Sequence, residues 1–443
     1  MKPIKRWSFE YLYMIVMFFY AFQLTPGTLR MRSSLSGDPF PFLLPIVLTA
    51  ILLYRNKISW FNRGLGNVLG IFLIWVVLIT IKYGDFSSTF FSYNFFLIYA
   101  IIIAYIHVQV FGKSLFSLYE DILVKFAIIS LPLWLFQVLL PGAAASVFHM
   151  FPEVKASSGG GNHVFLLYNW FDPAYFFISS EQSIRNSGPA FEPGIYSVFL
   201  CIGIFFNLLR NGITLKKNKN LIILLLALLT TFSTTGYSIA FITILIFYIK
   251  THTFKDNFIA VFFGAILMFF MFQLDFMGDK LSAKSNIEEI NKEFYVLEEY
   301  YSRRGIEGTR TSLDRFQGMY FEWNNFLNDP ILGYSRKITN SWFSQNFLEL
   351  FSLAGGLVKI LSQYGIIWGF ILFYMLFRSS KAIARSFSNK SSWLFALIMI
   401  MALISYILFD TPIITAFWFY GMWSYIPDRK FAVPEYNRTE PTN

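Results

Sequence analysis

Apolar runs of roughly 15 to 22 residues recur along this chain, each near the length that crosses a bilayer hydrocarbon core. They fall at 9–24, 40–54, 65–81, 89–110, 122–140, 195–210, 220–234, 236–250, 257–274, 350–377, 391–409 and 411–427. A segment in lipid must satisfy its own backbone hydrogen bonds, so runs of this length predict helices. Hydrophobic residues make up 56% of the chain and charged residues only 14%, against about 25% charged in a soluble domain. The expected fold class is an all-α polytopic membrane protein of about twelve transmembrane helices with two long outer-face loops.

The formal charge of +10 invites a nucleic-acid partner, but its distribution argues against one. Lys2, Lys5, Arg6, Arg55, Lys57, Arg63, Lys113, Arg210, Lys216, Lys217, Lys219, Lys250, Lys255, Arg378, Lys381, Arg385, Lys390, Arg429 and Lys430 occupy short connections. All lie on one side when the spans alternate, which makes that side cytoplasmic, holds both termini there and gives an even number of spans. Met1–Trp7 with the run after it reads as a retained first helix, not a cleaved signal. The single cysteine, Cys201, lies in an apolar run, so no disulfide framework is expected.

The organisation expected is therefore 1–140 as spans 1–5, 141–194 as a first outer loop and 195–274 as spans 6–9. A large second outer loop follows at 275–349, then spans 10–12 at 350–427 and a cytoplasmic tail at 428–443. The first outer loop holds a flexible S-S-G-G-G stretch at 157–161. In the second, Ile287, Ile290, Phe294, Leu297 and Tyr301 share one helical face, and Ser285 with Glu288 reads as a capping box. That helix lies on the membrane surface or caps the bundle; a lid over a lipid-linked substrate is the alternative.

The most polar stretch beside an apolar run is E-Q-S-I-R-N-S-G-P-A-F-E-P-G-I-Y at 181–196. A turn-rich segment there needs packing by protein or a cavity to line. Arginines are depleted on the outer side, yet Arg185, Arg303, Arg304, Arg310, Arg315 and Arg336 fall there. A guanidinium is a permanent, planar fork that matches phosphate oxygens. Arg185 precedes Pro193, which suits the first position of a helix whose amino end would attract anions. Either Arg185 binds an anion there, or it pairs with Glu192 or Glu181 and braces the loop. Arg310 stands near the start of a helix running to about Phe326 and is a second phosphate contact; Arg315 pairs with Asp314 or Glu322, or joins it.

Other chemistries find less support. His107, His149, His163 and His252 are scattered without a metal-ligand spacing, so no metal or other cofactor is expected. There is no P-loop and no G-x-S-x-G. T-T-F-S-T-T-G at 230–236 breaks two helices, either as a structural turn or as a sugar or phosphate contact.

R-N-S-G-P-A-F-E-P-G at 185–194 resembles the R-x-x-G-x-F-x-E-P-G block of the O-antigen polymerase and O-antigen ligase superfamily. T-F-S-T-T-G at 231–236, G-T-R at 308–310, N-D-P-I-L-G-Y at 328–334, N-F-L-E-L at 346–350 and Y-G-I-I-W-G-F at 364–370 resemble its later blocks in order. The resemblance implies a GT-C-type bundle in the bacterial cytoplasmic membrane and an inverting, metal-independent glycosyltransferase facing the periplasm. The substrate implied is an undecaprenyl-pyrophosphate-linked oligosaccharide, moved en bloc onto another lipid-linked repeat, with membrane lipid and a chain-length regulator protein as partners. Arg185 and Arg310 would bind pyrophosphate, with Arg303, Arg304, Arg315, Arg336 and Asn346 completing substrate binding. Glu192 would orient or deprotonate the acceptor hydroxyl, or else position Arg185. Ligases carry a histidine before the asparagine where this chain has Gln345-Asn346, which favours a polymerase. A ligase acting on a lipid or protein acceptor and a transporter of the same lipid-linked glycan are the alternatives.

Overall fold

The computed structural model describes residues 8–23, 40–59, 61–151, 153–155, 161–165, 167–171, 184–190, 192–213, 218–251, 311–312, 315–346, 351–352, 356–388, 392–406 and 411–423. The run at 257–274, the helix expected at 285–301, Arg303, Arg304, Arg310 and the tail lie outside these residues.

Among the described residues, the chain opens with eight helices: α1 (Phe9–Gln23), α2 (Phe40–Asn56), α3 (Arg63–Tyr83), α4 (Ser88–Phe111), α5 (Ser114–Leu139), α6 (Pro141–Phe148), α7 (Pro193–Asn211) and α8 (Lys219–Leu229). α9 (Thr234–Thr251) follows, and the second outer segment holds α10 (Arg315–Asn328) and α11 (Trp342–Asn346). The chain then continues in α12 (Leu357–Ser386), α13 (Leu394–Ser405), α14 (Pro412–Trp418) and α15 (Tyr420–Trp423). Among the described residues, four helices are long and apolar enough to cross a membrane: α3, α5, α7 and α12. Shorter apolar helices occupy Phe9–Phe22, Leu44–Asn56, Leu97–Phe111, Lys219–Leu229, Thr234–Ile249 and Leu394–Ile404.

The helix ends follow local chemistry. Asn62, Ser87 and Asn218 accept from the backbone N–H three residues on, which caps α3, α4 and α8. Proline opens α6, α7 and α14, where its missing N–H costs nothing. Gly84 (φ 59°) ends α3 in a left-handed conformation that glycine adopts without strain.

α7 is the axis of the bundle, with every residue from Gly194 to Leu208 buried. Aromatic side chains fill the space around it. Phe199 packs on Phe22 at 4.6 Å and on Tyr119, and Phe206 packs on Phe116 at 4.8 Å and Phe417 at 4.9 Å between ring centroids. The Tyr119 hydroxyl donates to the Phe199 carbonyl (3.0 Å), tying α5 to the middle of α7.

Contacts between helix ends pair residues that the charge rule places on the same side. At one end Arg55 meets Glu10 (3.8 Å), and Arg210 meets the buried Glu120 (2.8 Å), to which Asn207 and Asn220 also donate. At the other, Lys82 and Tyr83 of α3 hold Asp329, and Lys337 binds Asp85 (2.8 Å).

Several boundaries differ from the sequence reading. The run at 122–140 extends back to Ser114. The run at 350–377 begins as helix only at Leu357, continues to Ser386 and breaks at Gly365 (φ 71°). The last run divides into α14 and α15. The outer segments add two short sheets to the helical bundle: antiparallel β1 (Glu153–Lys155), β2 (Gly161–Phe165) and β3 (Tyr168–Phe171), and parallel β4 (Thr311–Ser312) and β5 (Phe351–Ser352). The first sheet packs on α6 through Phe148, Tyr168 and Trp170. His149 at the end of α6 and His163 of the central strand β2 lie with ring centroids 4.7 Å apart. Among the described residues no group of three metal-ligating side chains converges.

Candidate functional site

Residues 186–190 form a buried turn held from three directions. Arg185 Nε donates to the Thr231 carbonyl (2.9 Å), and the Asn186 N–H donates to the Thr230 carbonyl (2.8 Å). Both acceptors lie in the break between α8 and α9, where the hydroxyl-rich sequence leaves carbonyls without helical partners. The Asn186 amide also donates to Thr230 Oγ1 (2.9 Å) and Ser130 Oγ (3.3 Å), the latter on α5. Trp134, one turn further along α5, donates to the Ile184 carbonyl (2.9 Å).

The third support is β3. The Asn169 N–H donates to the Gly188 carbonyl (2.7 Å), its side-chain amide donates to the Ala190 carbonyl (3.2 Å), and its own carbonyl accepts from Ser187 Oγ (2.7 Å). One asparagine thus fixes three consecutive polar contacts of the turn. Gly188 has φ 52°, and a β-carbon there would lie 2.6 Å from the Tyr196 ring. Both facts require glycine.

α7 starts directly from this turn. Glu192 is its half-buried N-cap residue, with a carbonyl that accepts from the Tyr196 N–H (3.1 Å). On α7, Ser197 Oγ bonds the Gly194 carbonyl (2.7 Å) and the Ser233 hydroxyl (2.9 Å). A β-carbon on Gly236 would stand 2.6 Å from Ser197 Cβ, so this glycine permits the close approach of α9 to α7.

A second cluster forms where α10 packs on α12. Glu322 is fully buried and accepts from Ser362 Oγ (2.6 Å), Asn325 Nδ2 (3.1 Å) and the Tyr334 hydroxyl (3.4 Å). Burial pushes its carboxyl above the usual glutamate value, opposed by the nearby Lys359 ammonium and the Ser362 hydrogen bond. The N-D-P-I-L-G-Y turn fills the break in α12. The Ile366 N–H donates to the Pro330 carbonyl (2.7 Å), Tyr334 N–H to the Ser362 carbonyl (2.9 Å) and Ser335 N–H to the Gln363 carbonyl (3.1 Å). Gly333 and Gly365 make this insertion feasible, since β-carbons on them would fall 2.3 Å from the Gln363 oxygen and 2.1 Å from the Ile331 oxygen. Beside the turn, Lys337 and the Ser87 hydrogen bonds hold the Asp85 carboxyl at about 2, below its ordinary value.

The starts of α7 and α12 both pack on the end of α13. A β-carbon on Gly194 would lie 1.6 Å from the Tyr406 hydroxyl, and one on Gly356 would lie 1.4 Å from the Leu403 carbonyl. The starts of α7 and α12 therefore press against the same few residues.

Of the residues selected from sequence, Arg185 and Glu192 bracket the first turn, and Arg336 follows the second, half-buried between Ser335 and Lys337. Arg315 is the first residue of α10 and Asn346 the last of α11. Arg303, Arg304 and Arg310 lie outside the described residues. Asn169, Ser130 and Ser362 carry hydrogen bonds of the two clusters and do not stand out in the sequence, while Glu322, expected only as a partner for Arg315, accepts from Ser362, Asn325 and Tyr334. Ser130 is a hydroxyl within an apolar run, a faint signal; Asn169 stands in an aromatic strand and offers none. No family model matches the chain, and no curated protein matches it.

Proposed function

We propose that this chain is a bacterial polysaccharide polymerase that joins lipid-linked glycans at the outer face of the cytoplasmic membrane. The observation that carries the reading is the Arg185 Nε bond to Thr231 (2.9 Å). It unites the R-N-S-G-P-A-F-E-P-G and T-F-S-T-T-G blocks, whose bonded residues are 46 apart in sequence and which the family resemblance pairs only by order. A backbone carbonyl holds one edge of the guanidinium and so orients the remainder. In this reading about twelve helices cross the bilayer in the GT-C manner.

Arg185 and Arg310 bind the pyrophosphate of an undecaprenyl-linked donor, and Arg303, Arg304, Arg315 and Arg336 complete substrate binding. An acceptor sugar hydroxyl attacks the donor's anomeric carbon as the bond to pyrophosphate breaks, which inverts the configuration. The arginines stabilise the leaving charge, Glu192 takes or steers the hydroxyl proton, and Asn346 contacts the glycan.

The test uses the full chain in lipid discs with a synthetic undecaprenyl-pyrophosphate repeat unit, beside Arg185→Ala. The expected result is a ladder of products that falls on the order of a hundredfold in the variant. A ladder indifferent to the substitution removes Arg185 from the site. Transfer of a single unit to a foreign acceptor identifies a ligase, and lipid-linked sugar crossing the bilayer without bond formation identifies a transporter.

A further inference from the structure

The polar segment at 275–349 is expected outside the bilayer, yet the turn that follows α10 lies level with the interior of two long apolar helices. The Trp75 indole N–H donates to the Leu332 carbonyl (3.1 Å). Trp75 stands eight residues before the end of α3, about 12 Å along its axis. On the other side, the same turn enters the break at Gly365, eight residues into α12. α3 and α12 are both long and apolar enough to cross a membrane. The turn is thus held between them roughly two helical turns below their ends.

The surface of this wedge is apolar. Trp323 and Leu327, one turn apart on α10, are exposed, and so is Ile331 in the turn. Ile331 follows Pro330, whose carbonyl accepts from the Ile366 N–H (2.7 Å). Ile366, Phe370 and Tyr374 are exposed at helical spacing along α12, so one apolar stripe runs from α10 through the turn onto α12. A contiguous exposed stripe of this kind marks an interface. Polar groups along it find partners within the chain, as hydrocarbon requires. The exposed Asn328 amide donates to the Asn324 carbonyl (2.8 Å), the Asp329 N–H donates to the Asn325 carbonyl (3.2 Å), and Pro330 has no N–H. Asp329 is held by Lys82 and Tyr83 at the end of α3, a basic and aromatic pair suited to the hydrocarbon boundary.

We propose that the end of α10 and the turn after it are immersed in the bilayer, with Trp323, Leu327 and Ile331 against lipid acyl chains. Val77 and Ile81 are exposed on α3 as well. The apolar surface therefore extends over both helices that flank the wedge, as contact with lipid demands, and is not confined to the single face that a second copy of the chain would cover. The inference needs α3 and α12 to cross the bilayer and holds whether or not the chain polymerises glycans.

Nitroxide labels on Leu327→Cys, Ile331→Cys, Phe370→Cys and Thr339→Cys, each in the full chain in lipid discs, test this. All four positions are exposed, so the substitutions leave the packing intact. The native chain, whose Cys201 is buried, is the blank. Power saturation reads collisions with oxygen, which concentrates in hydrocarbon, and with a polar nickel chelate, which stays in water. Labels at 327 and 331 are expected to match the one at 370, with an oxygen-to-nickel ratio severalfold above that at 339. Nickel access at 327 and 331 equal to that at 339 puts the turn in water and overturns the proposal. Low access to both reagents with spin–spin broadening identifies a second copy on the stripe and also overturns it. Free nickel access at 370 overturns it together with the membrane placement of α12.

Discussion

Glu322 illustrates how a single side chain decides the behaviour of an element. Its carboxyl is buried, and three donors with a nearby ammonium surround it. Truncation to alanine leaves Ser362 and Asn325 without this acceptor and is expected to cost on the order of 3 kcal/mol. The glutamine variant keeps the shape and loses the ionisation. Because burial raises the folded-state value above the ordinary 4.5, the folded state holds the proton more tightly than the unfolded one. The contribution of Glu322 to stability is then fully present below that value and is lost as pH rises through the raised one. Thermal unfolding of Glu322→Gln followed across this range should be flatter than wild type; parallel profiles would show that Glu322 does not titrate in this way. Arg185 and Asn169 present a related contrast. Arginine among outer residues is conspicuous because topology depletes it, whereas Asn169 acquires its importance from strand pairing and cannot be singled out by type.

At the scale of elements, the break in α12 is the feature that apolar periodicity conceals. The sequence 350–377 reads as one continuous span, yet Gly365 turns to φ 71° and the loop carbonyls enter the gap. The insertion supplies hydrogen-bond partners to backbone groups that the interrupted helix frees. A β-carbon on Gly365 would collide with backbone, which cannot rotate away as a flexible side chain does. Gly365→Ala is therefore expected to expel the 328–335 turn, lower the melting temperature by several degrees and expose the turn to protease. Limited proteolysis with mass mapping checks it, and an unaltered cleavage pattern would mean that the turn stays seated. The hydroxyl-rich break at 230–233 was legible from composition, and Thr231 there accepts from Arg185. Its partner could not be read, because nothing local ties residue 231 to residue 185.

For the whole molecule, the segregation of loop contacts into two ends makes a topological prediction. Cys201 is buried, so the native chain should resist a bulky, membrane-impermeant maleimide. Single cysteines at Ser146 or Asn340 should be labelled from outside intact cells, and one at Asn211 only after the membrane is opened. Labelling of Ser146 and Asn211 from the same side would overturn the alternation of spans. The sequence by itself determined the apolar helical character, the two polar segments at 141–194 and 275–349 and the arginine-bearing turn, because hydropathy and charge act residue by residue along the chain. The tertiary structure decided that α7 is the buried axis, that Asn169 and Thr231 fix the turn, and that a loop completes the interrupted α12. Those outcomes depend on which backbone groups face one another across tens or hundreds of residues, and no local pattern encodes that.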